Sequence, residues 1–554
     1  MPYTRERLGD LLVTAGVLDE EQLQAALELQ AKEGGKLGEL LVRQLILDEE
    51  QLARTLAGQK GMEFVNLAVY PIDRDAVAQI PERLARRHHV LTVGYAEGSL
   101  VLAMADPLDI EAIDDVKVRT GMSVTPVVAT ATQIQYAIDK YVASADAFQD
   151  VVSVAQVEDE DAVVEVEDDV PIVRLVNQLI REAVIEQASD IHIEPGGTSI
   201  RIRYRVDGVL HEVMQLPVSV RAGLVSRVKI MADMDIAERR RPQDGRIAAV
   251  VNGRAVDMRV ATLPTPAGES IVIRILNHDA EQLTLADLGM GTDHLATMER
   301  FLKRPYGAVL ISGPTGSGKT TTLYAGLTRI NQPERKIITI EDPIEYQIAG
   351  ITQMAVNPVI GLTFARLLRT VLRSDPDVVM VGEIRDPETA EIAIRAALTG
   401  HLMLSSIHTN DAPSALTRLV DMDVAPYVTS SALIGVVAQR LARRLCPACR
   451  RRVRITKERA LAAGFTEEEF RKGLRLFGPK GCNECGGTGY RGRVGLFEIM
   501  EMNDELSRLF LREAPSEQIR EAAIASGMRT LRRDALDKVA TGMTSLEEVD
   551  RVFV

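Results

Sequence analysis

Eight residues near the middle of the chain, "GPTGSGKT" at 313–320, carry the most legible chemistry. Gly313, Gly318, Lys319 and Thr320 fit the pattern of a glycine, four free positions, then Gly-Lys-Thr. Glycines let the N–H groups of Gly313, Thr315, Gly316, Ser317, Gly318, Lys319, Thr320 and Thr321 converge on phosphate oxygens around Pro314. A helix starting there adds its dipole, Lys319 neutralises β/γ charge, and the Thr320 hydroxyl suits Mg²⁺. The motif itself does not say which purine is bound. Three acids supply further chemistry. "ITIEDPIE" ends in Glu341 and Asp342, with Glu345 one turn on, and "SDPDVVMVGEIRD" delivers Glu383 and then Arg385. Gly382 stands where such a strand usually places a metal-holding aspartate, which raises the question of whether the site is degenerate or differently built.

These groups need strands to carry them. "YGAVLIS", "RKIITIE", "VVMVGE" and "HLMLSSIH" read as four buried strands alternating with helical segments, which predicts a parallel sheet. Carboxylates following the second and third strands then fall at the ligand-binding edge of an open α/β sheet. His401 and His408 bracket the fourth strand. Their odd separation of seven puts them on opposite faces, so that at most one addresses the nucleotide.

Four cysteines occur only as "CPAC" (Cys446, Cys449) and "CNEC" (Cys482, Cys485), separated by 32 residues. Two such knuckles can give four thiolates to one tetrahedral Zn²⁺, and Arg443, Arg444 and Arg450 to Arg452 would offset the charge. A closed shell of this kind is structural; redox or unmetallated thiols are the alternative reading.

The first 60 residues repeat with a period of 29: "RLGDLLVTAGVLDEEQLQAALELQ" aligns with "KLGELLVRQLILDEEQLARTLAGQ". Each copy reads as a short helix, a turn and a longer helix, the first long helix capped at Asp19 and apolar at Leu23 and Leu27. Residues 90–141 read as strand, strand, helix, strand, helix. No basic residue lies between Lys140 and Arg174, and "VEDEDAVVEVEDD" within that span reads as a solvated linker. The helix "VRLVNQLIREAVIEQ" and the strands "SDIHIEP" and "SIRIRYRV" open a further mixed α/β unit.

Bulk properties narrow the class. At 554 residues the chain has room for roughly three to five domains. A net charge of −14 argues against a general electrostatic grip on nucleic acid and leaves a nucleic-acid translocase as the less favoured alternative. No 18-residue apolar run appears, and "MPYTRERLGD" is charged where a signal peptide is apolar, so the expectation is a cytoplasmic protein.

The segments "GPTGSGKT", "ITIEDPIE", "DPDVVMVGEIRD" and "TGHLMLSSIHTND" stand in order and resemble the secretion ATPase family, comprising type II secretion ATPases and type IV pilus assembly motors. "ASDIHIEP", "RYRVDG" and "ERRRPQDGR" resemble its second N-terminal domain. The resemblance implies an α/β multidomain architecture: an N-terminal domain at 1–145 (helical repeat 7–59, α/β part 61–142), the acidic linker 146–170, and a PAS-like α/β domain at 171–280. A RecA-like P-loop core follows at 281–554, with a Cys₄ zinc insertion about 440–495 and a C-terminal helical region 500–554. It further implies ATP and Mg²⁺ at 313–321, a homohexamer, and pilin polymerisation or type II secretion through an inner-membrane platform protein, with membrane association indirect. Glu383 is implied as organiser of metal or water with Glu341, Asp342 and His408 beside it. Arg259, Arg274, Arg369, Arg373 and Arg385 would reach the triphosphate from the smaller domain, the larger one or a neighbour. The repeat resembles a cyclic-di-GMP-binding domain through Arg7, Leu8, Gly9, Gly16 and Gln30, then Lys36, Leu37 and Gly38. Its second copy departs at Lys36 and Leu45, and a helical docking module is the alternative reading.

Overall fold

The computed structural model describes residues 8–14, 17–34, 36–44, 46–68, 70–96, 98–138, 171–251, 253–276 and 283–553. Arg7, Gly16, Leu45 and the acidic linker 146–170 lie outside them. The chain divides into two compact units, Met1–Ile275 with Gly481–Thr488, and Leu276–Lys480 with Gly489–Val554.

In the first unit the repeat folds as four helices: α1 (Leu8–Thr14), α2 (Glu20–Glu33), α3 (Leu37–Arg43) and α4 (Glu49–Lys60). Asp19 and Asp48 each accept the N–H three residues on at 2.7 Å, and Gln22 and Gln51 reach back to the capping residues' own N–H. Two orphan donors are satisfied at each helix start, which is why the DEEQ sequence nucleates a helix twice. Gly9 and Gly38 let the short helices seat on the long ones. A Cβ at either would come 2.6 Å from Leu23 or 2.7 Å from Leu52. Leu27, expected on the apolar face, is 41% exposed, and Ala26 takes the inward position three residues after Leu23.

Strands β1 (Val90–Ala96), β2 (Ser99–Met104) and β3 (Val124–Val128) then form a small sheet, β2 antiparallel to β1 and parallel to β3. Six further strands, β4 (Ala188–Pro195), β5 (Ser199–Val206), β6 (Val209–Pro217), β7 (Gln243–Val251), β8 (Arg254–Thr265) and β9 (Gly268–Leu276), lie in the order β6-β5-β4-β9-β8-β7. Helices Pro171–Ile185 and Arg221–Met231 share one apolar core with that sheet.

The second unit is built on a seven-stranded sheet. Its strands are β10 (Gly307–Ser312), β11 (Ile337–Glu341), β12 (Thr352–Ala355), β13 (Val378–Val381), β14 (Leu402–Ile407) and β15 (Leu433–Leu445). After a two-stranded ribbon, β16 (Arg451–Val453) and β17 (Leu476–Gly478), comes β18 (Tyr490–Glu501). The order is β12-β11-β13-β14-β10-β15-β18. Neighbours are parallel except β18, which runs antiparallel to β15. Residues along each strand alternate between two cores: Leu310, Ile340 and Val381 enter one, Val309, Ile337 and Met380 the other. Both faces are covered, so these strands read as unbroken apolar runs. The long pair β15 and β18 was not among the four expected strands. Arg440, Arg443 and Arg444 interrupt the apolar pattern of β15, and Arg443 and Arg444 read from sequence as charges flanking a cysteine knuckle.

Candidate active site

The phosphate loop leaves β10 at Ser312 and turns with Gly316 at φ 77° and Gly318 at φ 84°. Gly318 is doubly constrained, because a Cβ there would also lie 2.9 Å from Gln439 Nε2 in β15. The helix Lys319–Ile330 begins at once, and its free N–H groups face the loop. Lys319 is buried and donates from Nζ to the carbonyls of Gly313 (2.9 Å) and Pro314 (3.0 Å). Burial lowers its ammonium below the ordinary lysine value; Glu383 opposes that shift and Arg440 adds to it. Thr320 is exposed and Thr321 half-buried. Thr322, one residue on, donates to Gln439 Oε1 at 2.7 Å and ties the helix to β15.

Glu383 follows β13, with its side chain 15% exposed. Arg385 Nη2 lies 2.6 Å from one carboxylate oxygen and His408 Nε2 3.4 Å from the other. Gly382 is held between neighbours: its N–H donates to Ile340 O at 2.8 Å and its carbonyl accepts Ser406 Oγ at 2.7 Å. A Cβ there would press to 3.3 Å of Ile340 O, a physical reason for glycine where aspartate was expected. His401 and His408 lie just outside β14, at its opposite ends. His401 contacts Ala396 O at 3.2 Å, so strand polarity, and not face alternation, separates the two rings.

Glu341 ends β11 and is buried. Its carboxylate accepts the Tyr324 hydroxyl, Thr339 Oγ1 at 2.5 Å and Gln353 Nε2 at 3.0 Å. Burial first, then Glu341 itself, pushes the Tyr324 phenol well above its usual value, so the hydroxyl remains a donor. Asp342 is exposed and precedes a cis proline, Pro343. Arg369 pairs with Glu388 at 2.5 Å, and Arg373 is exposed. In the first unit Arg274 pairs with the buried Asp190 across β4 and β9 at 3.0 Å, while Arg259 of β8 stands opposite Arg246 of β7.

The four cysteines come together: all are buried and their sulfurs lie within 4.8 Å of one another. A tetrahedral Zn²⁺ with Zn–S of about 2.3 Å needs sulfurs about 3.8 Å apart; Cys482 and Cys485 Sγ lie at 3.7 Å. The donor set fits zinc. In the repeat, Leu8, Gln30 and Leu37 are half-buried, and Lys36 Nζ reaches Asp106 at 2.5 Å.

Several residues at this site escaped the sequence. Tyr324 and Gln353 hold Glu341, and Gln439 braces the loop. Glu498, buried in β18, accepts Ala412 N–H at 2.9 Å and Leu531 N–H at 3.1 Å, and burial raises its carboxyl. The available signal was a lone polar residue inside an apolar run, as in "VVAQRL" and "GLFEIM".

A phosphate loop at the C-terminal edge of a parallel sheet, with a buried lysine and a glutamate from the next strand but one, defines a RecA-like P-loop ATPase. The description "Type II/IV secretion system protein" matches residues 165–551, and "MshEN domain" matches 61–148, beyond the helical repeat. The chain is 42% identical over 554 residues to the type IV pilus assembly ATPase PilB of Myxococcus xanthus, covering 98% of both chains. It is 41% identical over 564 residues to type II secretion system protein E of Xanthomonas campestris pv. campestris, covering 99% of this chain and 98% of that one. The X-ray structure of the Legionella pneumophila ATPase DotB shares the fold, with TM-score 0.51 and 19% identity over 71% of this chain and 97% of that one. The chain belongs to the type II/IV secretion ATPase family. Among the described residues no helix is long and apolar enough to cross a membrane.

Proposed function

We propose that the chain is a hexameric ATPase that couples ATP hydrolysis to type IV pilus assembly, polymerising pilin through an inner-membrane platform protein. The observation that carries this reading is the convergence of Lys319 and Glu383 at the ends of β10 and β13, with β14 between them. Full-length similarity to a pilus assembly ATPase supports it. Lys319 would neutralise triphosphate charge and Thr320 would hold Mg²⁺, which when bound supplies charge neutralisation on the β- and γ-phosphates. Glu383 would orient the attacking water, released from Arg385 as nucleotide enters. Glu341 would support it from the core by fixing the end of β11, Asp342 from the exposed side, and His408 by holding the second carboxylate oxygen. Arg259, Arg274, Arg369, Arg373 and Arg385 would bring guanidinium charge to the phosphates within and between subunits. The Cys₄ cluster would hold structural zinc. The repeat would take cyclic-di-GMP, with saturable binding lost in Arg7→Ala as the check. The protein would be cytoplasmic, peripheral at the inner membrane through its partners.

A second reading, type II secretion, is favoured by the equally complete similarity to the Xanthomonas protein. Two measurements decide. Phosphate release from Mg²⁺-ATP by the purified chain tests the enzyme, and absence of release would reject it. Deleting the gene separates the roles: loss of surface pili with intact protein export supports assembly, and the reverse supports secretion.

A further inference from the structure

The C-terminal helix Leu546–Val552 carries a buried charge that neither the phosphate chemistry nor the zinc ligands use. The Glu548 side chain is 0% exposed and accepts five hydrogen bonds. Three come from Arg443: its backbone N–H (2.9 Å), Nε (2.9 Å) and Nη2 (2.8 Å). Two come from Arg551, Nε at 2.8 Å and Nη2 at 2.6 Å. Burial alone would raise this carboxyl, but the two guanidinium groups outweigh it and hold it below the ordinary range. One carboxylate between two arginines leaves a net positive charge, and Arg551 is half exposed.

Arg551 faces a cleft. With Arg440, Leu441 and Val552 it lines a cavity of about 250 Å³ whose other wall is the phosphate loop, Pro314 to Ser317. Ser317 Oγ, buried in that wall, has no hydrogen-bond partner among the described residues. Arg440 is fixed by Asn410, through the carbonyl at 3.2 Å and Oδ1 at 3.1 Å. Two cations, two apolar side chains and a phosphate loop suit a ligand that is anionic at one end and apolar at the other, which is the chemistry of a nucleoside phosphate.

The other arginine leads away from the cleft. Arg443 stacks over the Tyr490 ring at 4.1 Å, and the Tyr490 hydroxyl meets Ser545 Oγ at 2.6 Å. Three residues beyond Arg443, Cys446 N–H donates to Gly489 O at 2.9 Å.

We propose that Arg551 contacts the nucleotide held by the phosphate loop, that Glu548 positions it there, and that the same carboxylate, through Arg443, links nucleotide binding to the cysteine cluster. The proposal rests on the ATPase reading above and deepens it. The test is titration of the full-length chain with a fluorescent ADP, run beside zinc transfer to a chromogenic chelator. Wild type binds ADP, and bound ADP slows zinc transfer. Arg551→Ala weakens ADP about tenfold, the loss of one charge-assisted contact, and abolishes the slowing. Arg551→Lys recovers much of the affinity. Glu548→Gln weakens ADP with Arg551 still present, and it raises KM for ATP more than it lowers kcat. Wild-type ADP affinity in Arg551→Ala overturns the contact, and undiminished ADP protection of zinc in that variant overturns the link. A wild-type chain that binds no ADP at all overturns the ATPase reading and this inference with it.

Discussion

Arg385 holds Glu383: the two residues, separated only by the buried Ile384, form an ion pair at 2.6 Å on the carboxylate whose charge opposes the burial-driven lowering of the phosphate-loop lysine. An arginine 68% exposed is free to leave, so the pair can exchange partners as nucleotide arrives. Glu383→Gln keeps the shape and loses the charge. We expect nucleotide affinity within about twofold of wild type and turnover lowered roughly 10²- to 10⁴-fold. Nucleotide titration beside phosphate release checks both halves, and normal steady-state turnover would remove Glu383 from the catalytic role.

Glu341 is buried among three donors, and its variants should report on stability before chemistry. Tyr324→Phe removes a hydrogen bond to a buried charge and should cost roughly 1.5–3 kcal/mol. Glu341→Ala strands the Tyr324, Thr339 and Gln353 donors and should cost more. Urea melts read the difference; a melt unchanged in both variants would contradict the packing described.

The cysteine cluster predicts about one zinc per chain, measured by elemental analysis. Cys482→Ser should drop that stoichiometry and lower the melting temperature, because metal-binding free energy is folding free energy in such modules. Full stability after complete chelation would argue for unmetallated thiols.

Acid should act on the insertion between β15 and β18 through Glu469. Arg533 and the capping Thr466 N–H pull its carboxyl down to about 2 from 4.5. A depressed carboxylate contributes stability above its unfolded value and loses it as pH falls through the native one. Glu469→Gln should therefore be less stable than wild type by roughly 1 kcal/mol at pH 6, a partly exposed pair. The gap should close between pH 4.5 and about 2. Acid denaturation of the two chains side by side tests the sign.

Much of the second unit was legible because its strands are buried on both faces and its ligands sit at strand ends. Val378 to Val381, then Gly382 and Glu383, could be placed from period and punctuation alone. The cap of α2 at Asp19 was equally plain, since an N-cap is a local device; the reciprocal Gln22 and the matching box at Asp48 came from the structure. What could not be read depends on distant partners. Nothing near Glu341 in sequence announces Tyr324 or Gln353, and Glu548 differs from its exposed neighbour Glu547 only by the arginines that reach it. β15 was hidden because a strand beside one antiparallel neighbour tolerates arginines that a fully enclosed strand would not. Gly382, which opened the question of a degenerate site, marks a tight passage between β11 and β14.

β15 also has a mechanical meaning. Its Gln439 braces the phosphate loop, and Cys446 follows its last residue; at about 3.3 Å per residue these points are about 23 Å apart along one extended segment. That segment is paired with β18 from Gln439 to Leu445, whereas the pairing of β15 with β10 ends at Ala438. An extended strand so held is stiff in tension, unlike a loop or a single helix turn. A displacement of the loop along the strand direction would therefore be carried to the other end with little stretching.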